Sequence, residues 1–378
     1  MNLGGLDIAL PSTEGAAIDW ERVVARFTSL QELAGVPQDP LHHGEGDVWV
    51  HTRMVATALT EMPVWQRLPI EEQVVTLAAA LYHDVAKPLT TRCEDDGRIT
   101  ARGHARKGEV MARVELWRMG VPFKAREAVA SMVRYHQHPF FLLGREDALR
   151  TALSISQTVR CDHLSLLAES DIRGRICEDQ KGILEAVSMF HDYCQELECL
   201  AVPREFPNDL SRYEYFSREG RDPNYMAFDP GMFEVVLMCG LPASGKDHWV
   251  RTHRPDWPVI GLDDLRVEMD VDPGGNQGSV IQRALEDAKS YLRVKQSSIW
   301  NATNLTRQRR EPLVALFSRY GAKVTIVHVE ASAKTMMAAN RARPETSRVP
   351  DRVIESMTHQ WELPDPTEAH KVEYVVRE

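Results

Sequence analysis

The chain has 378 residues, 43 % hydrophobic and 26 % charged, and its 45 Lys and Arg face 55 Asp and Glu for a formal net charge of −10. That length exceeds one ordinary core and implies two domains; the composition is that of a water-soluble protein, with no apolar run long enough to cross a bilayer, so no membrane partner is expected. Residues 231–378 hold 20 acidic and 20 basic residues, so the 35 acidic and 25 basic residues before them carry the whole excess. Neither half is then a broad polyanion-binding surface, and a nucleic acid would be held at local patches by its end.

The N-terminus, Met1 to Asp7, lacks the basic start and apolar stretch of a signal peptide, which points to the cytoplasm. The six cysteines (Cys93, Cys161, Cys177, Cys194, Cys199, Cys239) form no CxxC pair and no zinc-type spacing, so they are expected to be reduced, buried thiols without a role.

Taken in chain order, residues to about 200 read as helices, with periodic segments at Trp20–Ala34, Val48–Glu61, Ile70–Ala86, Lys107–Met119, Ala125–Arg134, Cys161–Ala168 and Lys181–Leu197. Pro203 to Pro230 shifts to Pro, Asn, Asp, Arg and Tyr without a period, as a linker would. Beyond it, strands at Phe233–Cys239, Val259–Leu262, Ser298–Trp300 and Val324–Val329 alternate with helices around Lys246–Thr252, Ser279–Leu292, Arg307–Tyr320 and Ala333–Asn340, the pattern of a parallel sheet covered by helices. The expected organisation is an all-α domain at 1–205, a linker at 206–230 and an α/β P-loop domain at 231–378.

In the helical half, His51, the doublet His83-Asp84, His104, His136 and Asp171 each fall on or beside a helix. Imidazoles and carboxylates together suit one or two divalent transition ions (Mn, Fe, Co, Ni or Zn), and a carboxylate such as Asp84 can bridge a pair. An apolar helix carrying Val74, Val75, Leu77, Ala78, Ala79 and Leu81 runs straight into His83-Asp84, an odd place for two polar groups unless they bind something. His138 competes with His136 by a small register shift. Asp162, His163, His42 and His43 read as surface or supporting groups, and Lys87 as a solvated lysine or a phosphate contact.

The order His51, His83-Asp84, Asp171 resembles the signature of the HD phosphohydrolase superfamily. The stretches Gly46 to Thr52, Tyr82 to Pro88, Gly103-His104, Tyr135-His136 and Glu169 to Asp171 are similar to the HD module of bacterial tRNA nucleotidyltransferases. The resemblance implies metal ligands at His51, His83, Asp84 and Asp171, and second-metal ligands at His104 and His136.

In the second half, Gly240-Leu241-Pro242-Ala243-Ser244-Gly245-Lys246-Asp247 has P-loop spacing after a strand and before a helix. Backbone N–H groups of such a loop wrap the phosphates of ATP or another NTP, and the lysine reaches the outer ones. Asp247 stands where a Ser or Thr hydroxyl would hold Mg, so the metal is held differently or activity is lost. Asp263-Asp264-Leu265-Arg266 follows the next strand, where one carboxylate can accept an acceptor hydroxyl's proton while Arg266 holds a phosphate. Arg341-Ala342-Arg343-Pro344 can form a lid over ATP.

This half resembles the phage-type 5′-OH polynucleotide kinases, through the P-loop, Asp263 to Arg266, Thr303-Asn304-Leu305 with Arg309-Arg310, and Asn340 to Arg343 followed by Val349-Pro350. The resemblance implies Asp263 as general base, Arg266 on the acceptor's 3′ phosphate with Asn304 beside it, Lys246 on the donor phosphates, and Arg341 and Arg343 in the lid. It departs at Asp247 and at Asn301-Ala302, where the phage enzyme has Ser-Asp. An HD module ahead of such a kinase is similar to the bacterial HD-domain polynucleotide kinase fusions of RNA repair. That implies 5′ phosphorylation of RNA or DNA ends, removal of 2′,3′-cyclic, 2′ or 3′ phosphate, and an RNA ligase acting downstream. A nucleotide phosphohydrolase joined to a small-molecule kinase, or to an inactive ATP-binding regulator, remains the alternative from the residues alone.

Overall fold

The computed structural model of the protein describes residues 3–6, 10, 17–228, 231, 233–272 and 274–377. The chain divides into two compact units, Met1–Arg204 and Glu205–Glu378. Among the described residues no helix is long and apolar enough to cross a membrane.

The first unit is helical: α1 (Trp20–Arg26), α2 (Val48–Glu61), α3 (Pro63–Gln66), α4 (Ile70–Tyr82), α5 (Lys87–Thr90), α6 (His104–Arg118), α7 (Phe123–Tyr135), α8 (His138–Phe141), α9 (Ala148–Ser156), α10 (Cys161–Arg173) and α11 (Gln180–Glu196). Every residue of α4 from Val74 to Tyr82 is buried, so this helix is apolar on all sides and forms the centre of the unit, packed by α2, α7 and α10. Its end therefore delivers His83 and Asp84 into the interior. Asp47 caps α2, its Oδ1 accepting the Val50 N–H at 2.8 Å, which starts the helix one turn before His51. Gly174, just past α10, lets α2 approach: a Cβ there would come within 2.7 Å of the Val55 backbone.

Several boundaries differ from the periodic reading. The helix expected to Ala86 stops at Tyr82, and residues 83–86 turn before Pro88 sits near the start of α5. The segment expected at Trp20–Ala34 breaks after Arg26 into a 3-10 turn at Thr28–Leu33. A small antiparallel hairpin, β1 (Arg92–Cys93) with β2 (Ile99–Thr100), turns at Asp96-Gly97, a two-residue signal that alternation of only two residues per strand conceals.

The second unit contains β3 (Glu234–Cys239), β4 (Val259–Gly261), β5 (Ser298–Asn301), β6 (Lys323–Ala331) and β7 (Lys371–Arg377), all parallel in the order β4-β5-β3-β6-β7. Helices α12 (Asp209–Ser217), α13 (Lys246–His253), α14 (Leu262–Glu268), α15 (Gly278–Arg293), α16 (Arg307–Arg319), α17 (Ala333–Arg341) and α18 (Asp351–Thr358) accompany it. Alternate residues of β3 face opposite cores. Val235, Leu237 and Cys239 pack with α15 and Phe317, while Val236 and Met238 pack with Trp249 and Val250. A strand buried on both faces reads as a continuous apolar run, and the P-loop leaves its carboxyl end.

The segment 206–230, expected as a linker, instead holds α12, capped by Asn208, whose Oδ1 accepts the Ser211 N–H at 2.7 Å. Arg212 from α12 donates to the carbonyls of Pro366 and His370 at 3.0 and 2.8 Å, which fixes this helix within the second unit. The expected strands did not include β7, whose half-exposed residues lack the burial of the other strands.

Candidate functional sites

In the first unit, six side chains from three helices and two turns converge. His51 Nε2 lies 3.2 Å from His83 Nε2 and 3.2 Å from Asp171 Oδ1. His104 Nε2 lies 3.3 Å from His136 Nε2. Asp84 stands between these groups, with Oδ2 at 3.2 Å from His83 and 3.7 Å from His51 and Oδ1 at 3.3 Å from His104 and 4.0 Å from His136. All six are buried.

The imidazoles are oriented by their own backbone. The Nδ1 atoms of His83, His104 and His136 sit 2.7, 2.7 and 2.8 Å from the carbonyls of Ala80, Ala101 and Val133, three residues earlier in each case. A carbonyl only accepts, so this network assigns the proton to Nδ1 and leaves the Nε2 lone pair facing the centre. His51 instead faces an acid, Glu45, whose Oε1 lies 2.8 Å from its Nδ1 as an ion-pair contact. Glu45 also faces His43 Nδ1 at 2.8 Å and accepts from the Ile176 N–H at 2.9 Å. Asp171 receives two bonds from Arg175, at 2.9 and 2.8 Å.

Electrostatics favour a cation here. Burial alone would raise the Asp84 carboxyl, but Lys87, His83 and His104 outweigh it and hold the group well below the ordinary carboxylate value. Asp171 is depressed likewise, Arg175 and His51 overcoming burial. Burial, with His104 and His83 nearby, pushes His136 down to about 3, and burial lowers His104, so both are neutral donors. His51 is raised, because Asp171 and Glu45 outweigh burial; a field that welcomes a proton at this point welcomes a metal ion too. Two ligand groups, His51-His83-Asp171 and Asp84-His104-His136, thus fit two divalent ions sharing Asp84 as neighbour.

The other sequence candidates fall around this centre. His138 begins α8 with its ring against Tyr135 at 5.1 Å between centroids, and it is His136 that joins the ligand group. Lys87 is buried, 2.7 Å from Asp84 Oδ2 and donating to Gln38 Oε1 at 2.6 Å. His163 faces Glu72 at 2.8 Å, and Asp162 pairs with Arg160. Glu45, Gln38 and Arg175 were not anticipated. Glu45 lies in a loop with no period to mark it, six residues before His51.

In the second unit, the loop Gly240 to Gly245 has positive φ at Gly240, Ala243 and Gly245 (139°, 59° and 106°). A Cβ on Gly240 would collide with the Val329 carbonyl, so only glycine lets the loop turn against β6. Lys246 donates to the carbonyls of Gly240 and Leu241 at 3.0 and 2.9 Å, spanning the loop. The Ser244 hydroxyl is buried with no hydrogen-bond partner among the described residues, and Gly245 leads into the positive end of α13. An orphaned hydroxyl inside a cradle of N–H groups fits a polyphosphate.

Burial pushes the Lys246 ammonium down to about 8, against Asp247, Cys239 and Asp263, which raise it; Arg343 lowers it further. Asp263 and Arg343, from two other segments, therefore both act on the loop lysine. Asp263 is 96 % exposed and pairs with Arg266, whose Nε also donates to Gln277 Oε1 at 2.6 Å. Asp264 folds back over Gly261 at the end of β4. Asp247 accepts from Asn301 Nδ2 at 2.7 Å, while Asn301 Oδ1 is buried without a partner among the described residues. Asn340 is buried; it donates to the Val349 carbonyl at 2.7 Å and accepts the Val349 N–H at 3.1 Å, closing the segment that bears Arg341 and Arg343.

One expected role fails on geometry. Asn304, assigned to the acceptor, is buried, and its amide donates to the Met238 carbonyl at 2.7 Å. A side chain spent on the tip of β3 supports the loop from below. Arg310 is likewise structural, buried in a two-pronged pair with Glu368 and donating to the Asn304 and Glu362 carbonyls.

Residues 48–167 match the family model described as HD domain, and residues 235–364 match the model described as AAA domain (AAA_33). Among curated relatives, the CC-adding tRNA nucleotidyltransferase of Thermus thermophilus is 35 % identical over 142 residues, 34 % of this chain and 31 % of that protein. A multifunctional CCA protein of Thioalkalivibrio sulfidiphilus is 29 % identical over 183 residues, 47 % of this chain and 41 % of that protein. The chain thus spans well under half the length of these relatives. Solved structures of a Janibacter sugar kinase and of Chaetomium thermophilum Kti12 with ADP-AlF3 each cover 38 % of this chain, with TM-scores of 0.29 and 16 % and 15 % identity; they cover 85 % and 88 % of their own chains. The protein joins an N-terminal helical HD domain to a C-terminal P-loop kinase-like domain with a five-stranded parallel sheet.

Proposed function

We propose that the protein is a bifunctional, cytoplasmic end-healing enzyme for RNA, an ATP-dependent 5′-OH polynucleotide kinase joined to a metal-dependent 2′,3′-cyclic phosphodiesterase and 2′/3′-phosphomonoesterase. The observation that carries this reading is the placement of Asp84 between two buried ligand groups, a geometry suited to phosphoester hydrolysis, on a chain that also carries a P-loop. A ligase acting on the healed ends would follow.

In the HD centre, divalent transition ions held by His51, His83, Asp84, His104, His136 and Asp171 would supply Lewis acidity toward a phosphate oxygen. The protein's part is to hold that set still. Three backbone carbonyls and Glu45 fix the imidazoles, Arg175 fixes Asp171, and Lys87 holds Asp84 while leaving a cation close to an incoming phosphate.

In the kinase centre, the loop from Gly240 to Gly245, with Ser244, cradles the donor phosphates and Lys246 neutralises charge on them. Asp263 accepts the proton of the acceptor hydroxyl, Arg266 orients that acceptor, and Arg341 and Arg343 cover the donor. Asp247, which accepts from Asn301 Nδ2, would offer Mg a carboxylate from the helix where a Ser or Thr hydroxyl is usual, while Ala302 leaves no carboxylate at the acidic position on the strand side.

The deciding experiment incubates the purified protein with labelled ATP and either a 5′-OH oligoribonucleotide, a 5′-OH oligodeoxynucleotide or free nucleosides, and separately with RNA ending in 2′,3′-cyclic phosphate. Labelling of the oligonucleotide and opening of the cyclic phosphate are expected. Transfer to nucleosides alone, or ATP binding with no transfer to any hydroxyl, would overturn the reading.

A further inference from the structure

Three of the six cysteines, without a motif in the sequence to link them, meet in the interior of the first unit. Cys161 opens α10, Cys194 lies in the last turn of α11, and Cys199 follows that helix after a turn in which Glu198 has φ 55°. Each is 0 % exposed, and their sulfur atoms lie within 4.8 Å of one another. The segment is pinned by the Cys199 N–H to the Cys194 carbonyl at 2.9 Å, and by the Asp162 N–H to the Leu200 carbonyl at 3.0 Å, which joins the start of α10 to the same turn. The Ser156 hydroxyl and the Arg204 guanidinium both bear on Cys199.

We propose that Cys161, Cys194 and Cys199 form a buried thiolate site for one thiophilic ion of the zinc class. A single disulfide would use two of the three sulfurs and strand the third, whereas one ion uses all of them. An all-sulfur donor set selects a soft or borderline ion over Mg or Ca. On binding, three S–H bonds are replaced by three metal–sulfur bonds and up to three protons leave to solvent, with no change of oxidation state. Three thiolates and a divalent ion carry one net negative charge, next to the Arg204 guanidinium that is paired with Glu198 at 2.7 Å. The ion staples the start of α10, the helix that carries Asp171, to the end of α11. This inference does not depend on the proposed activities.

Cobalt(II) titration of the reduced, metal-stripped full-length protein tests it, because sulfur ligation gives an intense near-ultraviolet charge-transfer band that imidazole and carboxylate ligands do not. The band should appear, saturate at one ion per chain, and be displaced by zinc. It should persist in the His83→Ala/Asp84→Ala variant and vanish in Cys161→Ser and in Cys199→Ser. Absence of the band in the reduced wild-type protein overturns the site whatever the variants do, as does an intact mass short of two hydrogens, which would reveal a disulfide, in protein purified without reductant.

Discussion

The two centres reach their chemistry by opposite routes. In the helical unit the central carboxylate, Asp84, is 2 % exposed and every imidazole is tied to the protein's own backbone or to a buried acid, so the set is rigid before anything binds. In the sheet unit the proposed base, Asp263, is 96 % exposed on the first turn of α14, paired with Arg266 one turn on, while Lys246 and Arg343 come from separate segments. Metal ligands with several charges must be prepositioned, because mutual repulsion and burial both oppose assembling them late. A kinase site has to admit two substrates, and so keeps its acid and its arginines near solvent.

The largest expected effects separate the centres. Asp84→Ala should lower phosphoesterase activity by at least about a hundredfold, since even supporting groups of a metal site are worth roughly 10- to 100-fold, and should leave kinase turnover intact. Asp263→Asn should do the reverse, costing the kinase about 10²- to 10⁴-fold as a general base while cyclic-phosphate opening continues. Loss of both activities from either variant, with the protein still folded, would erase the contrast.

Smaller effects sharpen it. Glu45→Gln should weaken metal affinity by about 10- to 100-fold, seen by calorimetric titration with Mn or Co, because His51 loses the acid that orients it. Nucleotide binding should weaken as pH rises through about 8, since the Lys246 ammonium, lowered to that value chiefly by burial, is charged below it and neutral above it. Fluorescence titration of ATP between pH 7 and 9 reads this directly, and a flat profile would show that the lysine keeps its proton. Smallest is Asn304→Ala, which leaves the Met238 carbonyl without its buried donor and should cost about 1–3 kcal/mol in denaturant unfolding of the sheet unit, with the acceptor's KM unchanged.

The contrast also decides what could be read in the sequence. His83 and Asp84 were legible because they follow an apolar helix, where a polar group needs a reason, and the other ligands through the resemblance; Glu45 was not, because it sits in a loop whose only helix signal, Asp47, comes after it. The loop lysine and Asp263 were legible from spacing after strands. Asn304 was misassigned because a residue beside a motif can face the core as easily as the site, and only its positive φ and its bond to Met238 decide. Segment 206–230 misled through its prolines, which hide the helix that Asn208 starts. The six cysteines are free thiols, as expected, but spacing hid the meeting of three of them, because two from one helix end join a third from another helix.

Asn340 carries a consequence for motion. Its one amide grips Val349 through both main-chain atoms, so the eight intervening residues form a closed ring, and the guanidiniums of Arg341 and Arg343 travel together when the ring tilts. Swing of either side chain alone is a smaller movement than pivoting about this clasp. An aspartate in its place would keep the acceptor for the Val349 N–H and forfeit the donor to its carbonyl, opening one side of the clasp.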